Sequence, residues 1–380
     1  MMLKCSLITP IFIGCGEEYT PLDYYIENNI AHIVDIEKAL EVLGNLKSID
    51  EISDYIVKKS IGNRVETNAK DILERVGLCA EDYVVYKIKS EIKEDSRTRV
   101  KKFIHQNNRK YIPGSSIKGA IRTAYLFNYY DGKISEIFKI LDNKKIDNKG
   151  KEIERRAIGD IRDDFFKYLK ISDSIKLERE EFKFILTKRW HIKKKKLTIP
   201  NYLEGMTKGE FIINLKVEEE FFKELNNRLN KNFNPKNDYE KFEIIKELCN
   251  NFSKTVVDFE IKRDLPIILK EFYEKLKKDI EKNDAIYINL GFEGGFLNKT
   301  IYPLLWKNDQ NNILFHKIRQ FFLDLYKPKG KINPRNPQYK LYQTWQNAKS
   351  YLDFPTTVGV YVKHNRISSP LGWIKLEKVN

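Results

Sequence analysis

The chain has 380 residues, 41% of them hydrophobic and 12% aromatic, which is enough apolar material for a sizeable core and excludes a mainly disordered state. Lysine and arginine number 69 against 54 aspartates and glutamates, a net charge of +15. No stretch reaches the roughly 20 uninterrupted apolar residues of a membrane span, and Met1-Met2-Leu3-Lys4-Cys5 lacks the pattern of a signal peptide. A soluble, cytoplasmic chain without a membrane partner is expected. Cys5, Cys15, Cys79 and Cys249 form no C-x-x-C pair and share no zinc-ligand spacing with a histidine. They read as free thiols, with no metal or cofactor expected.

In chain order, Leu3 to Ile13 is apolar around Thr9-Pro10 and predicts a strand with a bulge at the proline, closed by a turn at Gly14-Cys15-Gly16. Asp23 to Ile26 and Ala31 to Val34 flank Glu27-Asn28-Asn29 as the arms of a hairpin. Ile36 to Leu46 and Ile49 to Lys59 carry helical spacing. Arg97, Arg99 and Lys101 recur with period two and share one face in a strand, and no acid stands between Ser96 and Lys110. Tyr111 to Ala124 joins a Pro-Gly turn to a helix that Ser115 or Ser116 can cap. The polar, lysine-rich region at about 131–165 reads as a surface insertion. Tyr168 to Ser174, Phe182 to Ile192 and Phe211 to Val217 read as strands, completing a β-rich domain over 1–217.

Residues 218–380 are expected to form a second domain. Glu218 to Glu281 is helical apart from a break at Phe233 to Asp238. A strand at Ile286 to Leu290, a helix at Ile313 to Leu325, a loop at Lys327 to Pro337, and strands at Val358 to Val362 and Trp373 to Val379 follow. Irregular alternation with hairpins in both parts points to an α+β fold.

From Lys327 to Asn380 ten basic residues face two acids, interleaved with Tyr339, Tyr342, Trp345, Tyr351, Phe354, Tyr361 and Trp373. Cations beside flat rings are the composition of a single-strand nucleic-acid surface, although a basic tail over core aromatics has the same composition. The Gly114 to Gly119 loop departs from the Walker pattern, because Lys118 precedes Gly119 and no serine or threonine takes the metal position; an ATPase is excluded. What remains is an anion cradle of helix-start amides, Ser115, Ser116, Lys118 and, one turn on, Arg122. An ordinary capped helix is the alternative. Gly291-Phe292-Glu293-Gly294-Gly295-Phe296 lacks the dinucleotide spacing; with Lys299 behind it, the loop reads as a polyanion contact or as a plain turn. Lys188, Arg189 and the Lys193 to Lys196 run add unspecific affinity for phosphate.

Catalytic signals are weak. No histidine pair has metal spacing and no G-x-S-x-G elbow occurs. His105, between Lys101/Lys102 and Arg109/Lys110, and His191, in its lysine run, are the candidates for the base of a metal-independent ribonuclease. Asp23 and Asp173 read as turn residues that bond backbone.

Several segments together resemble the RAMP-superfamily subunits of type III CRISPR–Cas effector complexes. They are Ile8 to Glu17 with Pro21 to Tyr24, Tyr111 to Arg122, Leu169 to Ser174, Gly291 to Thr300 and Pro370-Leu371-Gly372-Trp373. The chain looks most like the subunit that caps the 3′ end of the guide RNA in the III-A (Csm) complex. The resemblance implies a ferredoxin-like (RRM-like) fold, in two such modules with helical insertions. It also implies guide (CRISPR) RNA, a neighbouring backbone RAMP subunit, other Csm-complex subunits and host ribonucleases as partners. Gly14, Gly16, Ser115, Ser116, Lys118, Arg122, Gly291, Gly294, Gly295 and Lys299 fall on motif positions expected near RNA. A non-catalytic role in assembly and guide maturation follows, since target cleavage in the family belongs to an aspartate of the backbone subunit that is not matched here. The alternative is a RAMP endoribonuclease processing repeat RNA. The resemblance does not extend to the middle insertion or to the helical block at 218–281.

Overall fold

Alternation along β1 (Met2–Leu7) sets the first layer, with Leu3 and Cys5 buried on one face and Met2 exposed on the other. The computed structural model describes residues 1–379 except 44–45, 63, 94–97, 108, 176, 179–180, 310–311, 329 and 331–332, so Arg97, Lys329 and Lys331 lie outside the described residues. The apolar run expected to continue to Ile13 leaves the ladder after Leu7, because Pro10 has no N–H to offer it. Gly14-Cys15-Gly16 is not a turn but the start of β2 (Gly14–Tyr19), an edge strand. The hairpin of β3 (Tyr24–Glu27) and β4 (Ile30–Val34) closes on Asn28 and Asn29, both left-handed as its two-residue turn requires.

Helices α1 (Ile36–Leu43) and α2 (Leu46–Lys58) follow, then β5 (Ser60–Ile61), β6 (Arg64–Val65) and α3 (Ala69–Arg75). Next come β7 (Val84–Ser90), β8 (Val100–Phe103), β9 (His105–Gln106), β10 (Arg109–Lys110) and α4 (Gly114–Tyr130). The polar insertion holds α5 (Ile134–Asp142) and α6 (Lys149–Ile158), whose Ile137, Ile140, Ala157 and Ile158 reach the interior, so it is only partly a surface feature. After β11 (Leu169–Ile171), β12 (Phe182–His191), β13 (Lys196–Met206) and β14 (Glu210–Val217), the helical block divides into α7 (Glu219–Leu229), α8 (Asp238–Lys262) and α9 (Ile267–Lys282). Its second break falls at Pro266, which cannot continue the helical ladder. The remainder is β15 (Ile286–Asn289), α10 (Tyr302–Asn308), α11 (Ile313–Tyr326), α12 (Pro337–Gln346), β16 (Thr357–Lys363), β17 (Arg366–Pro370) and β18 (Trp373–Lys378). Helix α12 and strand β17 were not expected. Asn336 caps α12 by accepting from the Gln338 N–H at 2.8 Å, with Pro337 in the first turn, a start signal hidden in a Pro-rich run.

The five-stranded sheet has the order β11-β14-β1-β18-β15, with every neighbour antiparallel. Strands β11, β14, β1 and β18, with helices α4 and α8, have the order and directions of a ferredoxin-like module, in which β18 is the fourth strand, antiparallel to β1, and β15 adds a further strand at the edge. Strands from either side of residue 217 therefore share this sheet. Helices α4 and α8 pack together and contact its outer strands, α4 at β11 and α8 at β15. A nine-stranded sheet, β2-β8-β13-β12-β7-β4-β3 with β16 on β12 and β17 on β16, forms the second layer, and one hydrophobic cluster joins both.

The C-terminal aromatics belong largely to this core. Trp345 and Trp373 are 0% exposed and Tyr351 1%, and Trp345 stacks between Phe322 and Phe354 at 4.3 and 4.4 Å. Those rings are not available to bases.

Leu376 is fully buried, opposite Cys5 on one side and Ile286 on the other. Leu376→Ala is expected to lower the unfolding free energy by about 3 kcal/mol in urea titration. Lys4→Ala, on the outer face, should change it by less than about 0.5 kcal/mol.

Candidate nucleic-acid interface

Strands β1, β11 and β15 run in one direction and end at one edge of the five-stranded sheet, where β14 and β18 begin and α4 starts. Main-chain hydrogen bonds tie the motif segments together there. Ile8 and Thr9 N–H groups donate to the Trp373 carbonyl at 2.9 and 3.1 Å, and Gly372 N–H donates to Pro10 at 2.9 Å. Leu290 N–H donates to Gly372 at 2.7 Å and Phe292 N–H to Phe12 at 2.8 Å. On the α4 side, Ile112 N–H donates to Ser174 Oγ and Ser174 N–H to the Ile112 carbonyl, both at 2.9 Å.

The start of α4 differs from expectation. Neither serine caps it; Pro113 takes the cap position, and Gly114 N–H donates to Asp173 Oδ1 at 2.8 Å. A carboxylate is well placed at the positive end of a helix, so the chain supplies its own anion where a phosphate was expected. Gly114 is needed for close approach, since a Cβ there would fall on the Ile171 carbonyl oxygen. Ser115 is exposed and Ser116 half-buried in the first turn. Arg122 turns away from the cradle and donates to Glu154 and Asp164, both at 2.6 Å. Lys118 has no ion pair or hydrogen bond among the described residues. Burial lowers its pKa, with Arg122 and Lys170 adding to the effect and Asp164 opposing it.

The Gly14–Gly16 segment and Phe292 of the later glycine loop meet at one cleft of about 290 Å³, lined by Phe12, Gly14, Gly16, Glu17, Glu18, Lys101 and Phe292. Lys101 Nζ lies 4.7 Å over the Phe292 ring. The acids are balanced, Glu17 by Lys102 at 3.3 Å and Glu18 by Arg99 at 3.8 Å. Gly16 faces open space, and the backbone from Gly14 to Glu17 is exposed. Gly291, at φ +79°, lies against the Phe12 carbonyl where no side chain fits. Gly294 packs on Asn289, and Gly295 is exposed. Between Gly291 and Gly294, Glu293 is buried, accepting from Asn201 Nδ2 at 2.7 Å and pairing with Arg189 at 3.3 Å. Lys299 stands exposed on the short turn Leu297–Lys299, in the field of Glu293.

Neighbouring residues of a strand face opposite ways, so Lys188 and Arg189, grouped in the sequence, lie on opposite faces of the nine-stranded sheet. Arg189 anchors the glycine loop and Lys188 does not. In the lysine run, Lys193 pairs with Asp353 at 3.1 Å and Lys195 with Asp264 at 2.9 Å. The basic stretch before α4 is also partly neutralised. Lys110 Nζ lies 2.8 Å from Glu204, which also accepts from Tyr86 Oη at 2.9 Å and Phe103 N–H at 3.1 Å. The lone glutamate in Tyr202-Leu203-Glu204-Gly205-Met206 is the sequence signal for that buried partner.

His105 Nδ1 lies 3.0 Å from the Phe103 carbonyl, and His191 Nδ1 accepts from Lys194 N–H at 3.3 Å. Burial lowers the His191 pKa, and the nearby lysine charges add to it. Asp23 binds the Thr20 N–H at 2.6 Å, a turn role as expected. Among the described residues no group of His, Cys, Asp and Glu is arranged to hold a metal ion, and no helix is long and apolar enough to cross a membrane.

Comparison with known proteins matches residues 4–298 to the RAMP superfamily. A Methanocaldococcus jannaschii protein named CRISPR system Cms protein Csm5 is 59% identical over 382 residues, spanning 100% of this chain and 89% of that protein. A Streptococcus thermophilus protein of the same name is 27% identical over 247 residues, 57% of this chain and 64% of that one. Among solved structures, a chain of a type III-A Csm–crRNA–target RNA ternary complex superposes with a TM-score of 0.72 at 22% identity, covering 99% of this chain and 100% of that one. Csm5 of T. onnurineus superposes with a TM-score of 0.61 at 21% identity, covering 98% and 99% of the two chains. Both share the fold.

Removing the Asp173 carboxylate by Asp173→Ala should cost about 1 kcal/mol of stability, the usual size of a lost helix cap. Gly114→Ala should cost more, because the Ile171 backbone must move. Gly119→Ala, in open space on the same helix, should stabilise by up to about 1 kcal/mol. Thermal unfolding of the three variants tests this ordering.

Proposed function

Because the chain belongs to the RAMP superfamily, we propose that it is a non-catalytic RNA-binding and assembly subunit of a type III-A effector complex, holding the 3′ end of the guide RNA and aiding its maturation. The observation that carries this reading is the cleft where the Gly14–Gly16 edge and the Gly291–Gly295 loop meet beside Lys101. Exposed main-chain amides and an ammonium grip a ribose-phosphate backbone without reading its bases, which leaves the guide free to pair. The full-length similarity to a protein named Csm5 and the shared fold with a chain of a crRNA-bound assembly support it.

Within that reading Gly14, Gly16, Ser115, Ser116, Lys118, Gly295 and Lys299 face the RNA. Arg122, Arg189, Gly291 and Gly294 hold the surrounding loops in place. The partners are guide RNA, a neighbouring backbone RAMP subunit, other subunits of the complex and host ribonucleases.

Lys101→Glu combined with Lys118→Glu should weaken guide-RNA binding at least tenfold without lowering thermal stability. Each lost phosphate contact should also reduce the salt slope of log affinity by about 0.7. Unchanged affinity in filter binding would overturn the assignment. Arg122→Gln leaves Glu154 and Asp164 without their shared cation, so it should cost about 2 kcal/mol of stability while RNA affinity stays near wild type. Purified protein incubated with repeat RNA in EDTA should give no defined cut; a cut abolished by substituting His105 or His191 would favour an endoribonuclease instead.

A further inference from the structure

A second, larger groove opens on the face of the nine-stranded sheet that Lys188 occupies, away from the glycine loop. Its volume is about 730 Å³, within the size range of ligand sites. The floor is a row across adjacent strands: Tyr202 of β13 pairs with Leu186 of β12, which pairs with Val362 of β16. In the next row Pro200 lies opposite Lys188. The rim carries Lys93 and, at the end of β16, Lys363.

Among the described residues Lys93, Lys188 and Lys363 have no acidic partner. Glu91, the acid lining this groove, already accepts from Tyr361 Oη at 2.5 Å and Lys183 Nζ at 3.2 Å. The result is a cationic rim over an apolar, partly aromatic floor. Cations that meet phosphates, beside a flat ring on which a base can stack, match the chemistry of an unpaired nucleic-acid strand.

We propose that this groove is a second single-strand RNA site, in which Lys93, Lys188 and Lys363 contact phosphates and Tyr202 stacks on a base. The proposal rests on the RNA-binding reading above for its class of ligand, but on different residues and a different face. It gives the chain two RNA contacts, one at the sheet end and one on the sheet face.

The test uses the full chain with a fluorescein-labelled oligouridylate, in anisotropy titrations at several salt concentrations. Lys188→Gln with Lys363→Gln should weaken binding at least fivefold and lower the salt slope by about 1.4. Oligonucleotides carrying 4-thiouridine should crosslink to a peptide containing Tyr202. Unchanged affinity, with crosslinks confined to the Gly14 and Gly291 segments, overturns the groove and leaves the sheet-end reading standing. Weakened binding in the groove variant, with Lys101→Glu/Lys118→Glu unaffected, does the reverse. If the groove variant keeps its RNA affinity but fails to join neighbouring subunits, the groove is a protein contact and the proposal is wrong. In assembled complexes, placing 4-thiouridine in the guide or in the target strand identifies which one occupies the groove; crosslinks from neither overturn the proposal.

Discussion

The place of β18 between β1 and β15 brings the last residues of the chain against the first, and the rest of the molecule depends on that pairing. Trp373 and Gly372 exchange main-chain hydrogen bonds with Ile8, Thr9, Pro10 and Leu290. Each such bond contributes only about 1 kcal/mol net, but a buried amide or carbonyl left without its partner costs more. The loops at this end of the sheet are thus set by the ladder beneath them. That is how the glycine segments near residues 14 and 291 come to line a single cleft.

Electrostatics at the same end follow from acids the chain supplies itself. Asp173 occupies the start of α4, Glu293 sits under its own glycine loop with Arg189, and Glu204, buried in the nine-stranded sheet, holds Lys110. An ion pair in the interior must be well hydrogen-bonded to offset desolvation, and Glu204 meets that condition with Tyr86 and Phe103 as further donors. Part of the lysine and arginine content is therefore structural. The cations left for a polyanion are those without such partners, among them Lys118, Lys188 and Lys363.

The two faces of the nine-stranded sheet serve different ends because of the pleat. Asn201 and Arg189 point toward the glycine loop and clamp Glu293. Tyr202, Leu186 and Lys188 point away and line the open groove. One sheet thus supports the cleft from behind and offers a surface of its own. In the proposed reading, both surfaces recognise RNA by charge and shape rather than by base identity.

Local regularities were legible in the residues: the Asn28-Asn29 hairpin, the α4 helix after its Pro-Gly turn, strands β12 and β15, and the long helical block. The motif segments also marked the family, and with it the ferredoxin-like module. Such features rest on periodicity, propensity and turn chemistry, which act between near neighbours. Partnership across the chain was not legible. Lys118 and Arg122 lie on one helix a turn apart, yet Arg122 is neutralised by Glu154 and Asp164 while Lys118 is not. Lys188 and Arg189 are adjacent, yet the pleat sends them to opposite faces. Trp345 and Trp373 have the composition of stacking rings and are core. Whether a cation or a ring is free depends on what folding brings beside it, and only the tertiary structure decides that.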